Sequence, residues 1–163
     1  MENINYEELK QQDLPTNNVV DVNEGYAAIG MLEKMQNPRQ DFFCSIPDDG
    51  KMETRKVMYN SLAAPDHNVE EIIGKQIDLV DVVAYPVTFL SDEDTREEVT
   101  CLRCILIDKN GKSYGAVSQG IANSLMRLFS IFGMPHWTDP IKVEVKQVKT
   151  RNGNNKVNIL TVV

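Results

Sequence analysis

Apolar and polar residues alternate along this chain with two different periods, and the change from one to the other divides it into elements. Lys75–Leu90, Val99–Ile107, Lys112–Val117, Pro140–Lys149 and Lys156–Val163 carry β-branched and aromatic residues at a period near two, which predicts strands. In the first of these, Ile77, Leu79, Val83, Tyr85, Val87 and Phe89 share one face, but Asp81 interrupts them, while Val80, Val82 and Ala84 take the other. A bulge or bend between Asp81 and Pro86 reconciles the two sets, since Pro86 fits only an edge or a bulge. In the second, Leu102, Cys104 and Leu106 alternate with Cys101, Arg103, Ile105 and Ile107, so Arg103 sits mid-strand among apolar neighbours. Between strands three and four the period lengthens. Ile121, Leu125, Leu128, Phe129 and Phe132 form a helical stripe widened by Ala122, Met126 and Ile131. Ser118 is the expected N-cap, Gly133 the C-terminal stop, and Pro135 prevents continuation.

The turns agree with this order. Asp108-Lys-Asn-Gly111 and Thr150-Arg-Asn-Gly-Asn-Asn155 each place an Asn-Gly pair between two strand patterns, where both residues tolerate positive φ. Upstream, Asp41–Ile46, the turn Pro47-Asp-Asp-Gly50 and Lys51–Asn60 predict a further hairpin. Pro65–Gly74 predicts one helical turn capped by Asn68 and closed by Gly74. Glu24–Gln36 has a short amphipathic pattern ended by Asn37-Pro38 and weakened by Gly25 and Gly30, and residues 1–23 read as a polar tail. The expected organisation is an acidic polar tail with a short helix over 1–40, followed by a mainly β domain over 41–163.

A long bent strand, a hairpin, a helix and a second hairpin is the order of the OB-fold, a five-stranded barrel with its helix between strands 3 and 4. Here it would carry an N-terminal β-hairpin extension. Such barrels bind oligonucleotides on the strand 2–3 face and through the loops joining strands 1–2 and 4–5. That assigns Arg103, Lys112 and Tyr114 to the face. Lys149, Arg151 and Lys156 fall at the strand 4–5 loop, with Lys146 just before it. The strand 1–2 loop, Ser91–Glu98, is acidic apart from Arg96, which a DNA-contacting loop should not be.

Charge changes the picture only when it is divided. The formal net charge of −7 argues against a nucleic-acid partner. Yet residues 1–100 hold 8 Lys/Arg and 21 Asp/Glu, a balance of −13, whereas residues 101–163 hold 9 and 3, a balance of +6. Phosphate responds to the local field, so the second half can serve it. Within the acidic half, Lys51, Arg55 and Lys56 with Tyr59 form the one basic cluster.

At 163 residues and 42% apolar composition the chain can bury one core. No apolar run reaches the ~18 residues a membrane span needs, and no signal-peptide pattern is present, so the host cytosol is the expected location. Cys101 and Cys104 have CxxC spacing, but strand residues three apart point to opposite faces. No second CxxC follows, and neither a metal site nor a cofactor is expected. The carboxylates of Ser91–Glu98 are adjacent rather than convergent and read as a solvated loop. Walker, Rossmann, nucleophile-elbow and His-Glu zinc motifs are all missing, so binding rather than catalysis is expected. A metal-dependent nuclease built from Asp, Glu and Lys needs no tight motif and stays open. So does a protein-binding OB module of a replication or recombination complex, acting through the apolar helix and the N-terminal segment.

The run Lys112-Ser-Tyr-Gly-Ala-Val-Ser-Gln-Gly-Ile-Ala-Asn-Ser-Leu125, then Leu128-Phe129, Phe132-Gly-Met-Pro-His-Trp137, and Pro140-Ile-Lys-Val143 to Arg151-Asn-Gly-Asn154 resemble single-stranded DNA-binding proteins of bacteriophages and mobile elements. The resemblance covers residues 41–163, most clearly from 100 onward. It implies a non-catalytic protein that coats displaced single strands in replication or recombination. Many such proteins end in an acidic tip that recruits partners, whereas this chain ends Ile-Leu-Thr-Val-Val and carries its acidic material at the N-terminus. Lysines and arginines would neutralise phosphates while aromatic rings stack on bases with little sequence preference. The candidate rings are Phe43, Tyr59, Tyr114 and Trp137. Oligomeric state is left open by the sequence.

Overall fold

The structure is a computed structural model and describes residues 30–33, 35–38, 42–90 and 96–163. Residues 1–40 and 41–163 are separate compact units. In the first, the described residues 30–33 and 35–36 are helical, and the Asn37 N–H donates to the Glu33 carbonyl at 3.0 Å. The expected tail and the start of that helix lie outside the described residues, as do positions 91–95 of the acidic loop.

The second unit is mainly β. In chain order its elements are β1 (Phe43–Cys44), α1 (Met52–Ala63), β2 (His67–Asn68), a 3-10 turn (Val69–Ile72), β3 (Gln76–Leu90), β4 (Glu98–Asp108), β5 (Ser113–Val117), α2 (Gln119–Phe132), β6 (Ile141–Lys149) and β7 (Lys156–Val162). One curled sheet runs β2-β5-β4-β3-β6-β7, with β1 paired to β3. Numbered from β3, this is the OB order 3-2-1-4-5, and α2 falls between the third and fourth barrel strands as expected. β3 reaches both halves of the sheet because it is bent. Gln76–Leu79 pair with β6, Asp81–Leu90 pair with β4, and the register shifts between Leu79 and Asp81. The bulge that Asp81 required is there, at the start of the expected interval.

The bulge has a chemical reason. Asp81 is buried, accepts a hydrogen bond from the Ser45 hydroxyl at 2.7 Å, and lies 2.9 Å from His136 Nδ1. Ser45 in turn accepts from the Val82 N–H at 2.9 Å. One carboxylate thus ties together the β1 segment, the bend of β3 and the loop after α2.

Both faces of β4 are buried, against different partners. Cys104 and Leu106 join the main core with Leu79, Val82, Val143, Val145 and the helix residues Ile121, Leu125 and Leu128. Ile105 and Ile107 join Val83 in a smaller outer cluster, against which Phe42, Cys44, Ile46, Leu62 and Tyr85 pack. Leu62 belongs to α1, and its carbonyl accepts from the Tyr85 hydroxyl at 3.4 Å, so α1 covers part of the outer face.

Here the sequence reading needs correction. Lys51–Asn60 does not return as a strand; Met52–Ala63 is helical, and the extension is a short strand followed by a helix. Good helix formers (Met52, Glu53, Arg55, Lys56, Met58, Ala63) outnumber the β-branched Thr54 and Val57. Gly50 takes the expected positive φ, +76°, but Asp48 and Asp49 accept from the Gly50 and Lys51 N–H groups and lead the chain into the helix. The stripe of α2 is also narrower than its pattern. Ile121, Ala122, Leu125 and Leu128 are buried, whereas Met126, Ile131 and Phe132 are exposed, so the last turn stands clear of the barrel.

The seam between β5 and β7 is closed by α2 rather than by strand pairing. The Ser124 hydroxyl accepts from the Leu160 N–H at 3.1 Å, and the Ser118 hydroxyl reaches the Asn158 carbonyl at 3.5 Å. Gly120 packs so closely that a methyl group in its place would overlap the Asn158 carbonyl oxygen. At the adjoining edge β2 pairs with β5 in parallel, His67 opposite Tyr114. The 3-10 turn then buries Val69 and Ile72, held by the expected Asn68 cap in a capping box with Glu71.

Two predictions follow from this packing. Gly120→Ala forces the helix off β7 and is expected to lower stability by about 1–3 kcal/mol, the usual cost of overpacking, read from the urea midpoint. The Cys104 thiol is pushed up to about 11 by burial. Its folded form keeps the proton that the unfolded form loses above its ordinary value of 9.0, so stability falls as pH rises from 9 toward 11. At neutral pH Cys104 should react with a thiol reagent only on unfolding, while the half-buried Cys44 and Cys101 react sooner.

Candidate nucleic-acid interface

The outer face of β3-β4-β5 is covered by α1 at one end and open at the other. Where the cover ends the register places Tyr85, Arg103 and Val117 side by side on three adjacent strands, Tyr85 still half-buried against the cluster under α1. From there β3 and β4 continue as a two-stranded arm, with Val87 opposite Cys101 and Phe89 opposite Val99 on the same face. Phe89 is 46% exposed and Val117 48%. On the arm's other face the Thr88 and Thr100 hydroxyls lie 2.9 Å apart.

Arg103 opens onto a cleft of ≈ 260 Å³ at the β5–β7 seam, whose lining includes Gly115, Val117, Ser118, Asn158, Asn68 and Glu70. Gly115, beside Arg103, lets Pro65 lie close against the sheet. A methyl group there would come within 2.9 Å of Pro65 Cγ and 3.7 Å of Arg103 Nη2. Arg103 Nε is buried without a hydrogen-bond partner, and among the described residues the guanidinium has no ion pair.

A second cationic group lies on the β6–β7 hairpin. Lys149 and Lys156 stand directly opposite each other, and Arg151 follows in the turn, where Gly153 adopts φ +74°. Alternation puts Lys149 and Lys156 on the same face of the hairpin as Asn158, which lines the Arg103 cleft. Like charges directly across a ladder are destabilising, and neither lysine has a carboxylate partner among the described residues. Some other cations have carboxylate partners. Lys109 and Lys142 share Asp78, at 2.7 Å and 3.7 Å, and the Lys109 hydrogen bond holds the Asp78 carboxyl below its usual range. Arg55 pairs with Asp48 at 3.2 Å and Lys51 with Asp49 at 3.7 Å.

The residues singled out from the sequence therefore divide. Arg103 lies on β4 at the cleft, and Lys149 and Lys156 pair across β6–β7 with Arg151 at the tip. Lys146 sits on the opposite face of the same hairpin, and Lys112 lies at the far end of β5, next to the turn. Arg55, Lys56 and Tyr59 are exposed on α1, Tyr59 at 71%. Phe43 packs on Phe129 with ring centroids 5.8 Å apart. Tyr114 is 6% exposed, stacks on His67 and donates to Asp108 Oδ2 at 3.2 Å; burial, then the Asp108 charge, raises its hydroxyl above the ordinary value. Trp137 is 8% exposed and touches Phe129.

The structure also brings forward Tyr85 and Phe89, which the sequence reading passed over as site residues. Their signal was in the alternation: past the bulge they share a face, and that face carries Arg103. Among the described residues no group of His, Cys, Asp and Glu is placed to hold a metal ion, and no helix is long and apolar enough to cross a membrane.

Residues 37–161 match the family described as phage single-stranded DNA-binding protein. The chain belongs to that family. A search of curated proteins and a search of solved structures each returned no match. The match takes in every strand of the barrel, both cationic groups and the arm, and it assigns single-stranded DNA as the partner. In a phage single-stranded DNA-binding protein built this way, Trp137, the only tryptophan of the chain, reports on the core. Its emission should redden on unfolding and stay within a few per cent on addition of oligo-dT; strong quenching by the oligonucleotide would show that the indole stacks on a base.

Proposed function

We propose that the chain coats single-stranded DNA in phage or plasmid replication or recombination, and that the strand follows a track from Lys149 and Lys156 across the Arg103 cleft onto the arm. The observation that carries this reading is the Lys149–Lys156 pair: two lysines held face to face, with no carboxylate partner among the described residues, on the hairpin whose Asn158 lines the cleft. A polyanion laid between them converts a repulsion into two attractions. Binding of this kind is physical. Each neutralised phosphate releases counterions, so affinity falls with salt. Phe89 on the arm and Tyr59 on α1 offer exposed rings for bases, worth about 1–3 kcal/mol each and tolerant of sequence. Tyr114, Phe43 and Trp137 serve instead by holding the sheet and helix in place.

The test is fluorescence anisotropy with labelled oligo-dT between ~50 and ~200 mM salt, where the phosphate contribution changes steeply. The Lys149→Ala/Lys156→Ala double variant is expected to reduce the slope of log K against log salt by about 1.4, two contacts at about 0.7 each for single strands. Its circular dichroism should be unchanged, and its Tm equal to or above that of the wild type, because a repulsion has been removed. Wild-type slope and affinity in the double variant would place the track elsewhere.

A further inference from the structure

The condition of Arg103 calls for a ligand. A guanidinium has five N–H donors and cannot shed its charge, so arginines drawn out of water are normally paired with carboxylates. Arg103 is half-buried, its Nε is shut off from solvent, and among the described residues none of its donors is used. The carboxylate nearest in the lining belongs to Glu70, which forms no ion pair with it. Glu70 is exposed and its own N–H is held by Asn68 Oδ1 at 3.1 Å, which fixes the turn rather than the cleft. The arginine is thus left uncompensated among the described residues.

From this we infer that the Arg103 cleft is a phosphodiester-binding subsite, taking one backbone phosphate of the bound strand through the fork of the guanidinium. The inference rests on the single-stranded DNA reading and deepens it. Two parallel N–H···O bonds to non-bridging oxygens match the fork. The cleft, ≈ 260 Å³, has room for a phosphate group. Ser118, the N-cap of α2, lines the same cleft, so the positive end of the helix adds to the field there. Glu70 opposes it, and its charge sets how tightly the phosphate is held.

The experiment compares wild type, Arg103→Met, Glu70→Gln and the Lys149→Ala/Lys156→Ala double variant on two probes of equal length, oligo-dT and an abasic deoxyribose–phosphate oligomer, with Tm measured in low-salt buffer and in ~10 mM inorganic phosphate. Arg103→Met should keep or raise the low-salt Tm, because an unpaired charge has been replaced by an apolar chain of similar length. It should weaken both probes about tenfold or more, as expected for charge-assisted hydrogen bonds, and lower the salt slope by about 0.7. Glu70→Gln should tighten both. Loss on oligo-dT with unchanged abasic binding would assign Arg103 to base edges and overturn the inference. So would a lowered Tm with wild-type affinity, which marks a structural arginine, or stabilisation by inorganic phosphate with no effect on either oligomer, which marks a free-phosphate site. If Arg103→Met binds as wild type while the lysine double variant is weakened, the subsite is wrong and the DNA track stands. If the wild type binds neither probe at ~50 mM salt, the DNA reading itself falls.

Discussion

The contact on which the rest of this structure depends is the seal of α2 against the edge of β7. A curled sheet of the OB type ends in two strands whose outer backbone groups need partners. β7 finds its partners in α2, through the Ser124 hydroxyl at the Leu160 N–H and the Ser118 hydroxyl at the Asn158 carbonyl, with Gly120 close enough to let the helix lie flat. β5 finds its partner in β2. Neither strand pairs with the other, so the barrel is closed against the core yet split on its outside. That split is the Arg103 cleft. Sealing and opening come from one arrangement, because the helix fills the inner half of a gap that a pair of strands would have filled completely.

Most of the architecture was legible in the chain because its signals are local. The bulge followed from a carboxylate out of phase in β3, the turns from Asn-Gly, and the ends of α2 from Ser118 and Gly133. What failed depended on information that alternation does not contain. Tyr114 and Arg103 both lie in barrel strands that sequence order makes neighbours, and both were assigned to one exposed face. The actual register sets Tyr114 opposite Leu106 and Arg103 opposite Val117, so the tyrosine points inward with the leucine. A single step of register separates the two outcomes, and no residue in either strand announces it. The helix α1 was hidden for another reason: a turn motif that fits a hairpin also fits a helix entry, and the side chains of Asp48 and Asp49 decided between them. Lys149, Lys156 and Arg103 were visible as charges. That Lys149 and Lys156 stand opposite each other with no carboxylate partner among the described residues was not, since it depends on the register of the hairpin.

Net charge misled for a related reason. Carboxylates matter to a polyanion only where they are not already engaged, and here several are consumed in place. Asp78 serves two lysines at once, Asp48 and Asp49 hold the start of α1, and Asp81 is buried beneath the bend of β3. The cations those groups neutralise lie away from the cleft. Lys149, Lys156 and Arg103 have no such partner among the described residues, so a chain of formal charge −7 can still offer unpaired cations to a polyanion.

The cover over the outer sheet has a further consequence, which concerns time. Ile46 and Leu62 are synthesised before Ile105 and Ile107, the residues they shield. At ~5–20 residues per second, roughly 2–9 s separate Leu62 from Ile107 during translation. Throughout that interval the apolar side of α1 has no sheet to rest on, and β2 has no β5 to pair with. The hairpins of β3-β4-β5 close over short loops, whereas the cover must wait for a contact far along the chain. Docking therefore runs against the direction of synthesis: the segment made first is placed late, upon a sheet that assembled without it.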